Sequence, residues 1–105
     1  MKNKETLKLK NTRLLRLLSD RIAIGIINVL KQGPSYTREL ATMLGVGESV
    51  VSRKLRDLER LGVVEAEWRR RDEKTVREYW LVACDIELCL SSMRIYLSLC
   101  DDDHG

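Results

Sequence analysis

Long apolar runs are missing from this 105-residue chain. No stretch approaches the roughly 18 uninterrupted apolar residues that a membrane-crossing helix needs, so no span of that kind is expected. The first residues are charged and hold no apolar signal core, which sets the expectation of a cytoplasmic protein. Cysteine is scarce and odd in number: Cys84, Cys89 and Cys100 are too few for a disulfide framework and fit a reducing compartment. Histidine is scarcer, with His104 alone near the end. Without a second histidine, and with Cys84 and Cys89 falling on different faces of an expected helix, no metal site is read. A glycine-rich phosphate loop and paired carboxylates in an apolar setting are also missing. The expectation is therefore a protein without enzyme chemistry or cofactor.

What is present is charge, unevenly spread. The net charge is only +3. Residues 1–18 hold Lys2, Lys4, Lys8, Lys10, Arg13 and Arg16 against Glu5. The stretch from Arg69 to Arg77 adds Arg69, Arg70, Arg71, Lys74 and Arg77 against Asp72 and Glu73. After Ala83 the balance reverses, with Asp85, Glu87, Asp101, Asp102 and Asp103 opposing Arg94. A basic front and an acidic back orient a molecule on a polyanion.

The length suits one domain with a real core. Its reading divides into a basic arm and N-terminal helix at 1–20, a central unit at 21–82, a helix at 83–100 and a solvated acidic tail at 101–105. Ser19 or Asp20 caps a helix over Arg21 to Gln32, whose Ile22, Ile26, Ile27, Val29 and Leu30 fall mostly on one face. Gly33-Pro34 ends it. Thr37 is read as the cap of a short helix to Leu44, with Glu39 near its positive end. Gly45-Val46-Gly47 makes the turn, and a longer helix runs from Glu48 to Leu61, stopped by Gly62. Two strands follow, Gly62 to Trp68 and Thr75 to Val82, with Arg69 to Lys74 as a long loop lacking a tight-turn pair. From Asp85 to Cys100, Ile86, Leu90, Met93, Leu97 and Cys100 repeat at helical spacing. Leu88, Ile95 and Leu99 fall on another side, so this helix has two apolar faces to cover. One is expected to meet a second copy of the chain.

Two helices joined by a glycine turn, the second basic, suit a DNA major groove. On the Glu48 to Leu61 helix, Val51, Leu55 and Leu58 share one side at spacings of four and three. At about 100° per residue, Ser49, Ser52, Arg53, Arg56 and Arg60 fall opposite. Small polar and cationic groups are those that reach phosphates and base edges.

Residues from about Ile22 to Val82 resemble the winged helix-turn-helix domain of ArsR-like and MarR-like regulators. Thr37 to Ala41, Leu44-Gly-Val46, Val51 to Leu55, Leu58 to Val64 and the basic Arg69 to Arg77 hairpin carry the resemblance. It implies a mainly α fold with a small β-hairpin wing, N- and C-terminal dimerisation helices, and a homodimeric transcription regulator, whose expected role is that of a repressor. In it the second motif helix enters the major groove and the wing touches a neighbouring minor groove. Metal sensors of the ArsR-like group often carry paired thiols in the first motif helix, and Leu40 to Leu44 contains none.

The expected partner is double-stranded DNA, and the expected contacts are Glu48, Ser49, Ser52, Arg53, Lys54, Arg56, Arg60, Arg69, Arg70, Arg71, Lys74 and Arg77. Ser49, Ser52 and Arg53, nearest the helix start, are assigned to base edges, and Arg56 and Arg60 to phosphate. Glu48 either accepts from a cytosine amino group or favours the helix dipole. Leu14, Leu18, Ile86, Leu90, Met93, Leu97 and Cys100 are assigned to a homodimer interface. The cysteines read first as small core residues. The alternative is redox use of Cys84, Cys89 and Cys100, including an inter-subunit disulfide. A second functional reading keeps the scaffold without DNA, as a protein-interaction module of a transcription or replication assembly. No effector is read.

Overall fold

The computed structural model describes residues 4–8 and 13–100. The acidic tail, His104 and the remainder of the basic arm lie outside these described residues. The order of elements is β1 (Lys4–Lys8), α1 (Arg13–Leu18), α2 (Arg21–Leu30), β2 (Ser35–Tyr36), α3 (Thr37–Leu44), α4 (Glu48–Arg60), β3 (Val64–Arg71), β4 (Lys74–Leu81), β5 (Ala83–Cys89) and β6 (Arg94–Leu99). Two antiparallel three-stranded sheets form, in the orders β2-β4-β3 and β1-β6-β5.

The helical part follows the sequence closely. The Ser19 hydroxyl donates to the Arg16 carbonyl at 2.7 Å, closing α1. One residue on, the Asp20 carboxylate accepts from the Ala23 N–H at 2.9 Å and starts α2. That bond, reinforced by Lys54, holds the Asp20 carboxyl below the ordinary carboxylate range. Ala23, Ile26 and Leu30 of α2 are buried. Tyr36, rather than Thr37, occupies the cap position of α3, and no side chain caps it. Ser35 is buried, and its hydroxyl donates to Glu39, tying the first turn of α3 to β2. Gly45 then takes the left-handed conformation (φ 68°) in which a side chain is strained, and the Val46 N–H reaches the Ala41 carbonyl at 3.1 Å. This is the turn between the motif helices. Val51, Leu55 and Leu58 of α4 are fully buried, each contributing about 1.5–3 kcal/mol of apolar burial. Gly62 (φ 79°) turns the chain out of α4 into the first wing strand.

The wing is longer and tighter than its residues suggest. Arg69 to Lys74 is not a loop: the β3–β4 ladder continues to Arg71↔Lys74, leaving Asp72-Glu73 as a two-residue turn. Both turn residues have positive φ, 47° and 65°, the conformation that matches strand twist in a hairpin. Asp tolerates this backbone better than most residues, and the ladder on either side holds Glu73 in it.

The largest departure is at the end of the chain. Residues 83–100 form no dimerisation helix; β5 and β6 make a second hairpin, with β1 pairing along the other edge of β6. Helix and strand thus share the chain, and the expectation of a mainly α protein is corrected to a mixed one. The apolar residues satisfy two periods at once. Ile86 and Leu88 pair across from Leu97 and Ile95, so all four share one sheet face, and Ile95 and Leu97 are fully buried. Ser91 and Ser92 fall in the turn, where neither period is read. A disulfide closes the base of the hairpin, Cys84 to Cys100, with Cα atoms 4.9 Å apart. A helix through 84–100 would separate these atoms by about 24 Å at 1.5 Å per residue, so the two structures exclude each other.

The assigned dimer seam falls with the helix. Leu14 and Leu97 are each 1% exposed and belong to the core of their own protomer. Leu18 and Ile86 are half-buried against that core. Cys100 is bonded within its own chain, not to a partner. Leu90 and Met93, 73% and 50% exposed, remain on the surface at the β5–β6 turn.

Candidate nucleic-acid interface

α4 delivers the face separation that its spacing implies. Opposite the buried Val51, Leu55 and Leu58, the side chains of Ser49, Arg53, Arg56 and Arg60 are exposed, as is Glu48 at the start, and Ser52 is half-buried. Arg53, Arg56 and Arg60 make no ion pair among the described residues. Gly47 occupies the cap position without a side-chain bond, so Glu48 in the first turn supplies the negative charge that the helix dipole favours there. Lys54 points elsewhere: its Nζ lies 3.4 Å from Asp20 Oδ1, at the cap of α2. It therefore joins α4 to α2.

The wing cations divide in the same way. Arg70 and Lys74 are exposed and make no ion pair among the described residues. Arg69 bridges Glu67 at 2.9 Å and Glu78 at 3.4 Å along the ribbon surface. The Arg71 guanidinium lies over the Tyr36 ring, 4.9 Å from its centroid, which connects the wing tip to the start of α3. Arg77 donates from Nη2 to Glu59 Oε2 at 2.9 Å. It also lies over the rings of Trp68 and Tyr79, at 5.3 and 6.0 Å. The Glu59 carboxylate raises the Arg77 pKa further above its ordinary value. Trp68 lies opposite Arg77 across the β3–β4 ladder and is 63% exposed.

Two grooves frame the α4 face. One, of about 450 Å³, lies between the wing and the starts of α3 and α4, with Arg38, Glu48, Arg71 and Lys74 among its walls. The other, of about 410 Å³, runs along α4 between Arg16, Arg53 and Arg60. Arg16 and Arg38 are therefore beside the cationic face, although neither is among the contacts assigned from the sequence. Each is flanked by leucine, threonine or glutamate in its own segment, and only the packing of α1 and α3 against α4 brings it there.

The remaining thiol is Cys89 at the end of β5. Hydrogen bonds from Ser91, then from Ser92, bring its pKa down to about 7. Cys84 and Cys100 do not read as core packing: Cys84 is exposed and both are oxidised.

Residues 20–66 match the family model described as bacterial regulatory protein, arsR family. No curated protein matches by sequence. Among solved structures, the homodimeric winged helix-turn-helix DNA-binding domain Mb0332 from Mycobacterium bovis is similar at 27% identity and a TM-score of 0.55, over 67% of this chain and 61% of that one. The transcriptional repressor BigR from Xylella fastidiosa matches at 28% identity and a TM-score of 0.53, over 67% of each chain. Stf76 from the Sulfolobus islandicus plasmid-virus pSSVx matches at 25% identity and a TM-score of 0.55, over 61% of this chain and 84% of that one. This chain thus spans less than two thirds of the Mb0332 fragment. The match covers α2, α3, α4 and the root of the wing, the elements that build the cationic face. Over residues 20–66 this chain is similar to the helix-turn-helix of bacterial arsR-family regulatory proteins, and it has the winged helix-turn-helix fold.

Proposed function

We propose that the protein is a homodimeric, sequence-specific repressor of transcription that acts in the cytoplasm on double-stranded DNA, without catalysis of its own. The observation that carries this reading is the exposed Ser49, Arg53, Arg56 and Arg60 face of α4, backed by fully buried Val51, Leu55 and Leu58. In a homodimer the two α4 helices enter successive major grooves about 34–36 Å apart, which selects a pseudo-palindromic site. Repression follows by occluding or remodelling a promoter. Of the assigned dimer contacts, the exposed Leu90 and Met93 of the β5–β6 turn are kept; Leu14, Leu97 and Cys100 are withdrawn.

Arg53 sits near the start of α4 and is assigned to a base edge, and Arg70 on the wing to phosphate. Arg53→Ala should flatten preference among duplex sequences, removing about 1–3 kcal/mol of discrimination at one position. Arg70→Ala should weaken all sequences alike. Gel-shift titrations on a selected duplex and on random duplex separate the two effects, and unchanged preference in Arg53→Ala removes that assignment. A chain that shifts no duplex at low salt supports the protein-interaction module instead. The Cys84–Cys100 disulfide favours one refinement, a regulator whose affinity responds to dithiol reductant. Gel shifts with and without reductant test it, equal affinity excluding the refinement.

A further inference from the structure

β4 is supported on both sides only near its end. β2 pairs with it at Ser35↔Tyr79 and Tyr36↔Glu78, and goes no further. From Arg77 outward to the tip, the wing is a two-stranded ribbon four residue pairs long, from Trp68↔Arg77 to Arg71↔Lys74. Such a ribbon is marginally stable alone and free to twist and bend. The first residue beyond the third strand is Arg77. Its guanidinium reaches 18 residues back along the sequence to Glu59, in the last turn of α4, at 2.9 Å. The two side chains are 32% and 34% exposed, and the Trp68 and Tyr79 rings flank the guanidinium.

We infer that Glu59 and Arg77 form a strut that sets the angle between the wing and α4, and with it the spacing between major-groove and wing contacts on DNA. The inference rests on the DNA-binding reading above, and it makes both members positioning residues. It also explains a carboxylate kept between Arg56 and Arg60 on a helix that meets a polyanion. An acid there repels phosphate, so its removal should tighten binding if it served no other purpose. As half of a strut, its removal should weaken binding instead. The guanidinium is already occupied by a carboxylate and two rings. Arg77 is thereby withdrawn from the phosphate contacts assigned from the sequence.

The test uses the full chain and a fluorescein-labelled duplex selected by the wild-type protein, read by anisotropy between 50 and 200 mM salt (about the range over which phosphate contacts are resolved). Glu59→Gln, Arg77→Gln and Arg77→Lys should each weaken binding on the order of fivefold, the worth of a half-exposed ion pair with ring contacts. The Glu59→Gln/Arg77→Gln double variant should be no weaker than either single one, because one contact is lost in all three. The salt slope should stay at the wild-type value. Tighter or unchanged binding in Glu59→Gln overturns the strut. So does a slope reduced by about 0.9 in Arg77→Gln and restored in Arg77→Lys, which would make Arg77 a phosphate ligand. Amide relaxation of the free protein gives a readout without DNA. In Glu59→Gln, order parameters over Trp68 to Arg77 should fall toward about 0.6 while α4 stays near about 0.85. An unchanged ribbon refutes the strut even where a variant binds poorly. A wild-type chain that binds no duplex defeats the DNA-binding reading, and leaves the relaxation result to decide the strut.

Discussion

The number of cations that α4 and the wing leave unpaired can be read out as a salt dependence. Arg53, Arg56, Arg60, Arg70 and Lys74 are exposed and make no ion pair among the described residues. Lys54, Arg69 and Arg77 are held by Asp20, by Glu67 and Glu78, and by Glu59, and Arg71 lies over Tyr36. If the five unpaired cations each neutralise one phosphate, log affinity falls with log salt at a slope of about −4.5 per protomer, from about −0.9 per phosphate. Between 50 and 200 mM salt that is a loss of about 500-fold per protomer, and its square for a dimer bound to both half-sites. Anisotropy of a labelled duplex titrated at four or five salt concentrations measures it. A slope near −8 per protomer, about what all nine cations of α4 and the wing would give, would mean that the ion pairs open on DNA. That result would refute the division drawn here between contacting and bracing cations. A slope shallower than about −2 would remove the cationic face as the binding surface.

The Cys84–Cys100 bond closes a loop with a sequence separation of 16, so reduction, or Cys84→Ser with Cys100→Ser, should cost about 3 kcal/mol through the freed unfolded chain. Thermal melts with and without dithiol reductant check this, and coincident curves would contradict it. Asp20 supplies a second test. Its folded pKa lies below the ordinary 3.8, chiefly through the Ala23 N–H, so its contribution is complete above that value and fades as pH falls through the folded one. Asp20→Ala should therefore cost about 1 kcal/mol at neutral pH, as other cap replacements do, and little in strong acid. Denaturant melts across pH would expose a penalty that fails to shrink.

Much of the candidate interface is legible in the residues because it depends on short-range rules. The 3.6-residue period of α4 separates Val51, Leu55 and Leu58 from Arg53, Arg56 and Arg60 without reference to the remaining chain. Asp20, Gly45 and Gly62 mark the ends of their helices through local hydrogen bonding and backbone freedom. Which cations are left without an ion pair is a different kind of question. Lys54 finds Asp20 and Arg77 finds Glu59 only after α2, α4 and β4 have packed, and the sequence distance between partners carries no hint of it. Arg16 and Arg38 reach the edge of the face for the same reason.

The end of the chain marks the boundary most clearly. Ile86, Leu88, Leu90, Ile95, Leu97 and Leu99 satisfy a period of two, while Ile86, Leu90, Met93, Leu97 and Cys100 fit the four-three seam of a helix, so pattern alone admits either element. Residues by themselves determined the motif helices, the turn between them, the wing and the cationic side of α4, because those follow from spacing, caps and glycines within a few positions. Tertiary structure decided that 83–100 is a hairpin, that Cys84 meets Cys100 and that Leu14 and Leu97 serve the core. Burial of one sheet face, pairing with β1 and closure of a disulfide are contacts between distant residues, and a linear period cannot express them.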